Sequence, residues 1–292
     1  MRARLITALL KLFAALPLAW NRRLAGLFGR LLYLVPNSLR RHSEINLQLC
    51  LPELSPAERR RLLKTSLIET AKTALEAGPM WFWPPERLLP LLAEDSEGVD
   101  AVDAAIRKGR GALLATPHLG SWEMAGHFGA ARWGITNLYR PPRMAAMDTL
   151  IREGRQRAGA QLATTDAKGV RQLYETLSRG GVVGILPDQD PGRSGVFAPF
   201  FGVPASSMVL LGRLARKTGA AVFFCYCERL PGTAGYRMHF HPAPPGVDSE
   251  DPMTAATAMN LGVEGCVRAC PEQYQWNYRR FRNRPPGEPQ IY

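Results

Sequence analysis

The sequence predicts an α/β fold: a mostly parallel central sheet flanked by helices, with an N-terminal membrane-associated helical segment. Three observations carry this. From Gly98 onward, short apolar runs alternate with amphipathic stretches of helical length, the pattern of strand and helix units that build a parallel sheet covered on both faces. Polar residues follow directly after several of those runs, at His118, at Arg140 and at Asp188-Gln189-Asp190, and sheets of this class gather ligands at the carboxyl ends of their strands. The amino terminus is different in kind, being apolar and punctuated by arginines.

Residues 5–20 are apolar except for Thr7 and Lys11 and follow Arg2 and Arg4. The run is short for a span of roughly 20 residues, and Pro17 interrupts it. After Asn21-Arg22-Arg23 a second apolar stretch occupies residues 24–35, with Arg40, Arg41 and His42 beyond it. Two apolar helical pieces separated by cations suit a marginal span or an interfacial anchor, its arginines at lipid headgroups. Ser55-Pro56-Ala57-Glu58 is a capping box with proline at the first helical position, opening a helix to about Ala77. The cluster Trp81-Phe82-Trp83 fits either helix packing or a lipid interface.

In the sheet region, helices are predicted over 99–108, 121–131, 148–158, 169–179 and 207–217. Strands are predicted over 111–115, 135–139, 182–186 and 221–227, with an edge strand over 236–241. The proline-punctuated apolar stretch from Phe197 to Pro204 reads as a loop, tucked into the core or forming a wall for an apolar substrate.

With 292 residues and 46% hydrophobic content, the chain can bury a substantial core, which excludes a disordered protein. A net charge of +12 calls for an anionic partner: nucleic acid, an anionic membrane surface or a phosphorylated substrate. Five cysteines without a Cys-x-x-Cys pair read as buried free thiols of a reducing compartment, not as a metal site. The tail, Gln273-Tyr274-Gln275-Trp276 through Arg279-Arg280-Phe281-Arg282, interleaves aromatics with arginines. That composition fits nucleic acid or a headgroup boundary, and the apolar amino terminus favours the second.

Chemistry concentrates at Ala115-Thr116-Pro117-His118-Leu119-Gly120-Ser121-Trp122-Glu123. Inside one helix, His118 and Glu123 would point roughly 140° apart at 3.6 residues per turn. If His118 instead lies on the loop before a helix capped by Ser121, Glu123 in the first turn can reach back to one imidazole nitrogen. The other nitrogen then acts as a base on a substrate hydroxyl. An arginine of the 148–158 helix facing inward would offer guanidinium donors to an oxyanion, though periodicity does not select among Arg152, Arg155 and Arg157.

These motifs, taken in order, resemble the late (secondary) acyltransferases of lipid A biosynthesis, within the wider lysophospholipid acyltransferase superfamily. The resemblance rests on Glu44 through Leu54, the His118/Glu123 pair, Tyr139-Arg140-Pro141, Leu186-Pro187-Asp188-Gln189-Asp190, the stretch to Phe200-Phe201, and Pro271 through Trp276 followed by Arg279-Arg280-Phe281. It implies a membrane-anchoring segment over 1–35, an acyltransferase domain over 36–292, and a place at the cytoplasmic face of the inner membrane. It further implies transfer of a fatty acyl chain, of lauroyl type, from acyl carrier protein to a hydroxyl of a Kdo-linked lipid A precursor, without metal or cofactor. His118 would deprotonate the acceptor, Glu123 would hold His118, and Arg155 would meet the oxyanion. Arg140, Asp188, Gln189 and Asp190 would serve the substrate. The segment Pro142-Arg143-Met144-Ala145-Ala146 departs from the family in lacking an asparagine-proline pair. The rivals are a glycerolipid or aminoacyl-lipid acyltransferase of the same superfamily, and a non-catalytic membrane- or nucleic-acid-binding protein.

Overall fold

A computed structural model describes residues 2–292. The amino-terminal apolar stretches form α1 (Arg2–Ala15) and α2 (Leu18–Leu34), broken at Pro17 as the ring's missing N–H requires. After α3 (Ser38–Cys50), the long α4 (Pro56–Phe82) opens with both arms of the predicted capping box made between Ser55 and Glu58. It continues past Ala77 through Gly78 and Pro79, so Trp81 and Phe82 belong to its last turn and Trp83 caps it. Trp83 is buried, its indole N–H donating to the Ala14 carbonyl of α1 at 2.7 Å.

Short α5 (Pro85–Leu88) leads to α6 (Val99–Arg107), after which strand and helix alternate. The order is β1 (Ala112–Ala115), α7 (Trp122–Trp133), β2 (Thr136–Tyr139), α8 (Asp148–Gln156), β3 (Gln161–Thr164), α9 (Ala167–Ser178) and β4 (Val182–Ile185). A hairpin of β5 (Val196–Phe200) and β6 (Val203–Ser207) precedes α10 (Leu210–Thr218), β7 (Ala221–Arg229), β8 (Tyr236–Pro242) and α11 (Pro252–Ala269).

The main sheet has six strands in the order β3-β2-β4-β1-β7-β8, parallel throughout except for β8, which pairs antiparallel with β7 at the edge. Alternation along β1 divides two cores. Leu113 and Ala115 join residues of α9, α10 and α11, whereas Ala112 and Leu114 join Val102, Met124 and Phe240. All five cysteines are free and buried.

The structure differs from the sequence reading at two places. The stretch from Phe197 to Pro204 is a two-stranded hairpin turning at Phe201-Gly202, both with positive φ (50° and 76°). Glu264 of α11 accepts the Phe201 N–H at 2.7 Å and fixes this otherwise unfavourable backbone. The aromatic tail does not form a headgroup surface. Trp276, Phe281 and Arg280 are 2% exposed or less and pack into the core beneath β5 and β6.

α1 and α2 lie against α4, with Gly29 of α2 so close that a Cβ there would stand 2.4 Å from the Ile68 Cα. Arg22 of α2 is buried and donates through Nε to Glu76 of α4 at 3.0 Å, and Arg229 at the end of β7 donates to the other Glu76 oxygen at 2.6 Å. Arg22 also reaches the carbonyls of Leu230, Gly232 and Gly235 between β7 and β8, tying the helical hairpin to the sheet edge. The opposite faces of α1 and α2 leave Leu5, Leu9, Leu12, Trp20, Leu27 and Leu31 exposed. Among the described residues, no helix is long and apolar enough to cross a membrane.

Candidate active site

β1 and β4 are neighbours in register, Ala115 opposite Ile185, so loops leaving their carboxyl ends run side by side. His118 stands three residues past Ala115 and Asp188 three past Ile185, and this equal offset brings them together. The His118 Nδ1 lies 2.8 Å from Asp188 Oδ1, and the His118 backbone N–H donates to Oδ2 at 3.0 Å. The carboxylate is buried and the imidazole is 16% exposed. Burial alone would raise the Asp188 pKa; electrostatic attraction to the His118 ring and the hydrogen bonds His118 donates outweigh burial and hold the carboxyl below its usual range.

His118 sits on the loop before α7, as anticipated, but the acid expected to brace it does not. Glu123, in the first turn of α7, is ion-paired with Arg155 of α8, which donates from Nε at 3.0 Å and from Nη2 at 2.5 Å. Burial would raise the Glu123 pKa, and the Arg155 charge with its hydrogen bonds lowers it instead. A bidentate, charge-assisted pair of this kind satisfies the carboxylate in a low-dielectric setting. It leaves Asp188 as the acid at the imidazole. Ser121 does not cap α7 through its side chain; its backbone N–H donates to the Cys227 carbonyl at 2.7 Å.

The His118 loop is held from behind by β7 and the tail. Gly120 takes φ of +61°, and a Cβ there would fall 2.0 Å from the Cys227 oxygen, so only glycine lets the loop press against β7. The Gly120 N–H donates to the Gln273 carbonyl and the Gln275 N–H to the His118 carbonyl, both at 3.0 Å. Gln189 lies over the outer edge of the imidazole, its Nε2 3.2 Å from His118 Nε2 and 3.3 Å from the Gln275 side-chain oxygen. Asp190 faces away, accepting from Arg282 at 2.7 Å and Asn283 at 2.8 Å, while the Tyr278 hydroxyl accepts its backbone N–H at 3.0 Å. Asp190 thereby anchors the loop to the tail. Arg140 is exposed beyond β2, and the adjacent Tyr139 hydroxyl donates to Asp148 at 2.7 Å.

Beneath α7 runs a narrow cavity of about 50 Å³. Thr116, Trp122, Glu123 and Arg155 line one part of it, and Phe128, Trp133, Ile135 and Phe240 line another. Trp122 also meets the His118 ring edge-on, with ring centres 5.1 Å apart, which joins cavity and imidazole. Trp133 and Phe240 lie edge to face at 5.7 Å, and Asp103 accepts the Trp133 indole N–H at 2.8 Å.

The arrangement can do one kind of chemistry directly. A neutral imidazole with Nδ1–H on a carboxylate presents its Nε2 lone pair to an incoming hydroxyl. The pairing of His118 with Asp188, and the bracing by Gln275, Tyr278 and Arg282, were not read from the sequence. The only signal for the first is the equal offset from two strands, which becomes visible once their register is known.

Residues 2–283 match the family described as bacterial lipid A biosynthesis acyltransferase. The chain is 35% identical to the lipid A biosynthesis lauroyltransferase of Escherichia coli (strain K12) over 252 residues, covering 85% of this chain and 80% of that protein. It is 32% identical to the palmitoleoyltransferase of the same strain with the same coverage. To the myristoyltransferase it is 26% identical over 277 residues, 92% of this chain and 81% of that one.

Proposed function

Because the chain belongs to the bacterial lipid A biosynthesis acyltransferase family, we propose that it moves a fatty acyl chain from acyl carrier protein to a hydroxyl of a Kdo-linked lipid A precursor, with His118 as the base. The observation that carries the reaction is the contact between His118 Nδ1 and Asp188, which favours the tautomer protonated at Nδ1 and turns Nε2 outward to accept the hydroxyl proton. The activated oxygen attacks the thioester carbonyl carbon, the tetrahedral intermediate collapses, and the thiol leaves with the proton from His118. The nucleophile belongs to the substrate, so no acyl-enzyme forms.

Arg155 is the candidate for the oxyanion. Its Nε and Nη2 hold Glu123, and Nη1, which makes no hydrogen bond among the described residues, is left as a charged donor on a residue that lines the cavity. On this assignment Glu123 orients the guanidinium and Asp188 orients the imidazole. Both are positioning residues. The cavity beneath α7 receives the acyl chain, parting its apolar walls as the chain enters. From Trp122 to Trp133 the helix runs about 16 Å, which suits a medium-length chain such as lauroyl. Arg140, exposed past β2, serves the anionic headgroup of the acceptor.

The exposed apolar residues of α1 and α2 support attachment to the cytoplasmic face of the inner membrane, where a lipid acceptor is reached without leaving the bilayer. The excess of arginine suits the acidic surface of acyl carrier protein and speeds its encounter. The decisive experiment supplies purified protein with acyl carrier protein thioesters of graded chain length and a Kdo-bearing lipid A precursor. Mass spectrometry of lipid A from cells with and without the gene complements it. A secondary acyl chain added in vitro and missing in the deleted cells upholds the proposal. Transfer to a lysophospholipid in preference to the lipid A precursor rejects it.

A further inference from the structure

Gln189 occupies the position that the reaction requires for the acceptor. With the Asp188 carboxylate on His118 Nδ1, the neutral ring carries its proton on that nitrogen and offers a lone pair at Nε2. A group 3.2 Å from that lone pair must donate, which orients the Gln189 amide with its NH2 toward the ring. The same NH2 donates its second hydrogen to the Gln275 side-chain oxygen at 3.3 Å. Both contacts lie at or beyond the long end of N–H hydrogen bonds and are easily exchanged. The Gln189 backbone is held firmly, between buried Asp188 on one side and Asp190, pinned by Tyr278, Arg282 and Asn283, on the other. Among the described residues, the side chain is held only by those two long hydrogen bonds.

We propose that Gln189 is a displaceable plug: its amide N–H stands in for the acceptor O–H at His118 Nε2, keeps water from the base, and swings aside when the acceptor hydroxyl arrives. The inference rests on the functional reading above, since it presumes a thioester donor. What the plug suppresses is hydrolysis. Without it, water would give a proton to Nε2 while its oxygen attacks the thioester carbonyl. The C–S bond would then break and the thiolate take the proton back from the imidazolium, giving a free fatty acid and a free thiol.

The test uses the full chain with a lauroyl thioester of acyl carrier protein, with and without the lipid A precursor. In Gln189→Ala, thiol release without acceptor, relative to acyl transfer with acceptor, rises about tenfold, the factor expected from losing one or two hydrogen bonds. Gln189→Asn, too short to reach the ring, behaves alike. Gln189→Glu sets a carboxylate against Nε2, favours the imidazolium and lowers both reactions together.

A second measurement needs no substrate: diethylpyrocarbonate carbethoxylates an accessible imidazole nitrogen, and peptide mass spectrometry reads it at His118. The rate at His118 rises several-fold in Gln189→Ala, while melting temperature stays near that of the unaltered protein. Unchanged hydrolysis-to-transfer ratio with unchanged carbethoxylation overturns the plug. Should the unaltered protein neither release thiol nor transfer acyl groups, the functional reading fails instead, and the carbethoxylation rates still decide whether Gln189 covers the base.

Discussion

His118 and Asp188, 70 residues apart in sequence, share two hydrogen bonds, one from the imidazole and one from the histidine's own backbone N–H. The double contact fixes loop and ring together, so the direction of Nε2 is set by the sheet and not by a flexible side chain. His118→Ala should lower acyl transfer by about 10²–10⁴-fold, the usual contribution of a positioned base, with the fold intact by circular dichroism. Asp188→Asn, which permits the wrong tautomer, should lower turnover by a comparable factor with little change in acceptor KM. A mild effect of Asp188→Asn would remove it from the mechanism.

Glu123 and Arg155 form a part-buried bidentate pair at the cavity wall, and each satisfies the other. Either single substitution, Glu123→Gln or Arg155→Gln, should reduce turnover by about 10²-fold or more if the guanidinium meets the oxyanion. The double variant should melt above the two singles, because no charge is left buried alone, yet remain inactive. Activity regained in the double variant would contradict the role given to Arg155.

Glu76 sits between Arg22 and Arg229, and burial, which would raise its pKa, is overcome by the two guanidinium groups, which lower it. Since the folded-state pKa is depressed, this carboxylate contributes its full stabilisation above the unfolded value of about 4.3 and loses it as pH falls through the lower folded value. Glu76→Gln should destabilise the protein by about 3–5 kcal/mol at neutral pH, because buried Arg22 loses its carboxylate and Arg229 keeps only Glu69, at 3.6 Å. Its melting temperature should also vary less than that of the unaltered protein between pH 5 and acid, on the order of the range in which carboxylates titrate. Thermal melts across that range check both statements.

Trp133, Phe240 and Gly126 line the cavity, Trp133 at the end of α7 remote from Trp122 and His118. Trp133→Ala should shift donor preference toward longer acyl chains, and Gly126→Leu toward shorter ones or none, read from competition among thioesters of different length. A discrimination of roughly 10–200-fold per methylene is the ceiling for a hydrophobic pocket, so shifts of a few carbons are expected and not an absolute switch. Unaltered preference in both variants would place the acyl chain elsewhere.

On α2, Leu27 is 62% and Leu34 71% exposed, with Leu31 and Trp20 beside them. Burying one leucine in lipid is worth about 1.5–3 kcal/mol. Replacing Leu27 and Leu31 by glutamate should therefore cut co-sedimentation with anionic vesicles at least tenfold, leaving turnover on detergent-dispersed substrate less affected. Equal binding by the variant would deny this face to the bilayer.

The amino-acid sequence by itself determined the α/β architecture, because apolar runs after Gly98 repeat at strand length with stretches of helical length between them. It determined the helix break at Pro17, the capping box at Ser55, and the placement of His118 on a loop between β1 and α7, since these are local matters of ring geometry, hydrogen-bond donors and turn chemistry. It missed β3, whose Gln161-Leu162-Ala163-Thr164 is too short and mixed to show a period, and the hairpin around Phe201, whose prolines disguise edge strands as a loop.

What only the tertiary structure decided is which acid meets which base. Nearness in sequence favoured Glu123, whereas the in-register pairing of β1 with β4 delivers Asp188 to His118 and leaves Glu123 to Arg155. Arg280, Trp276 and Phe281 of the tail likewise turned inward. Strand register and the closing of distant loops are fixed by the packing of the whole core, and no short window of residues contains that information.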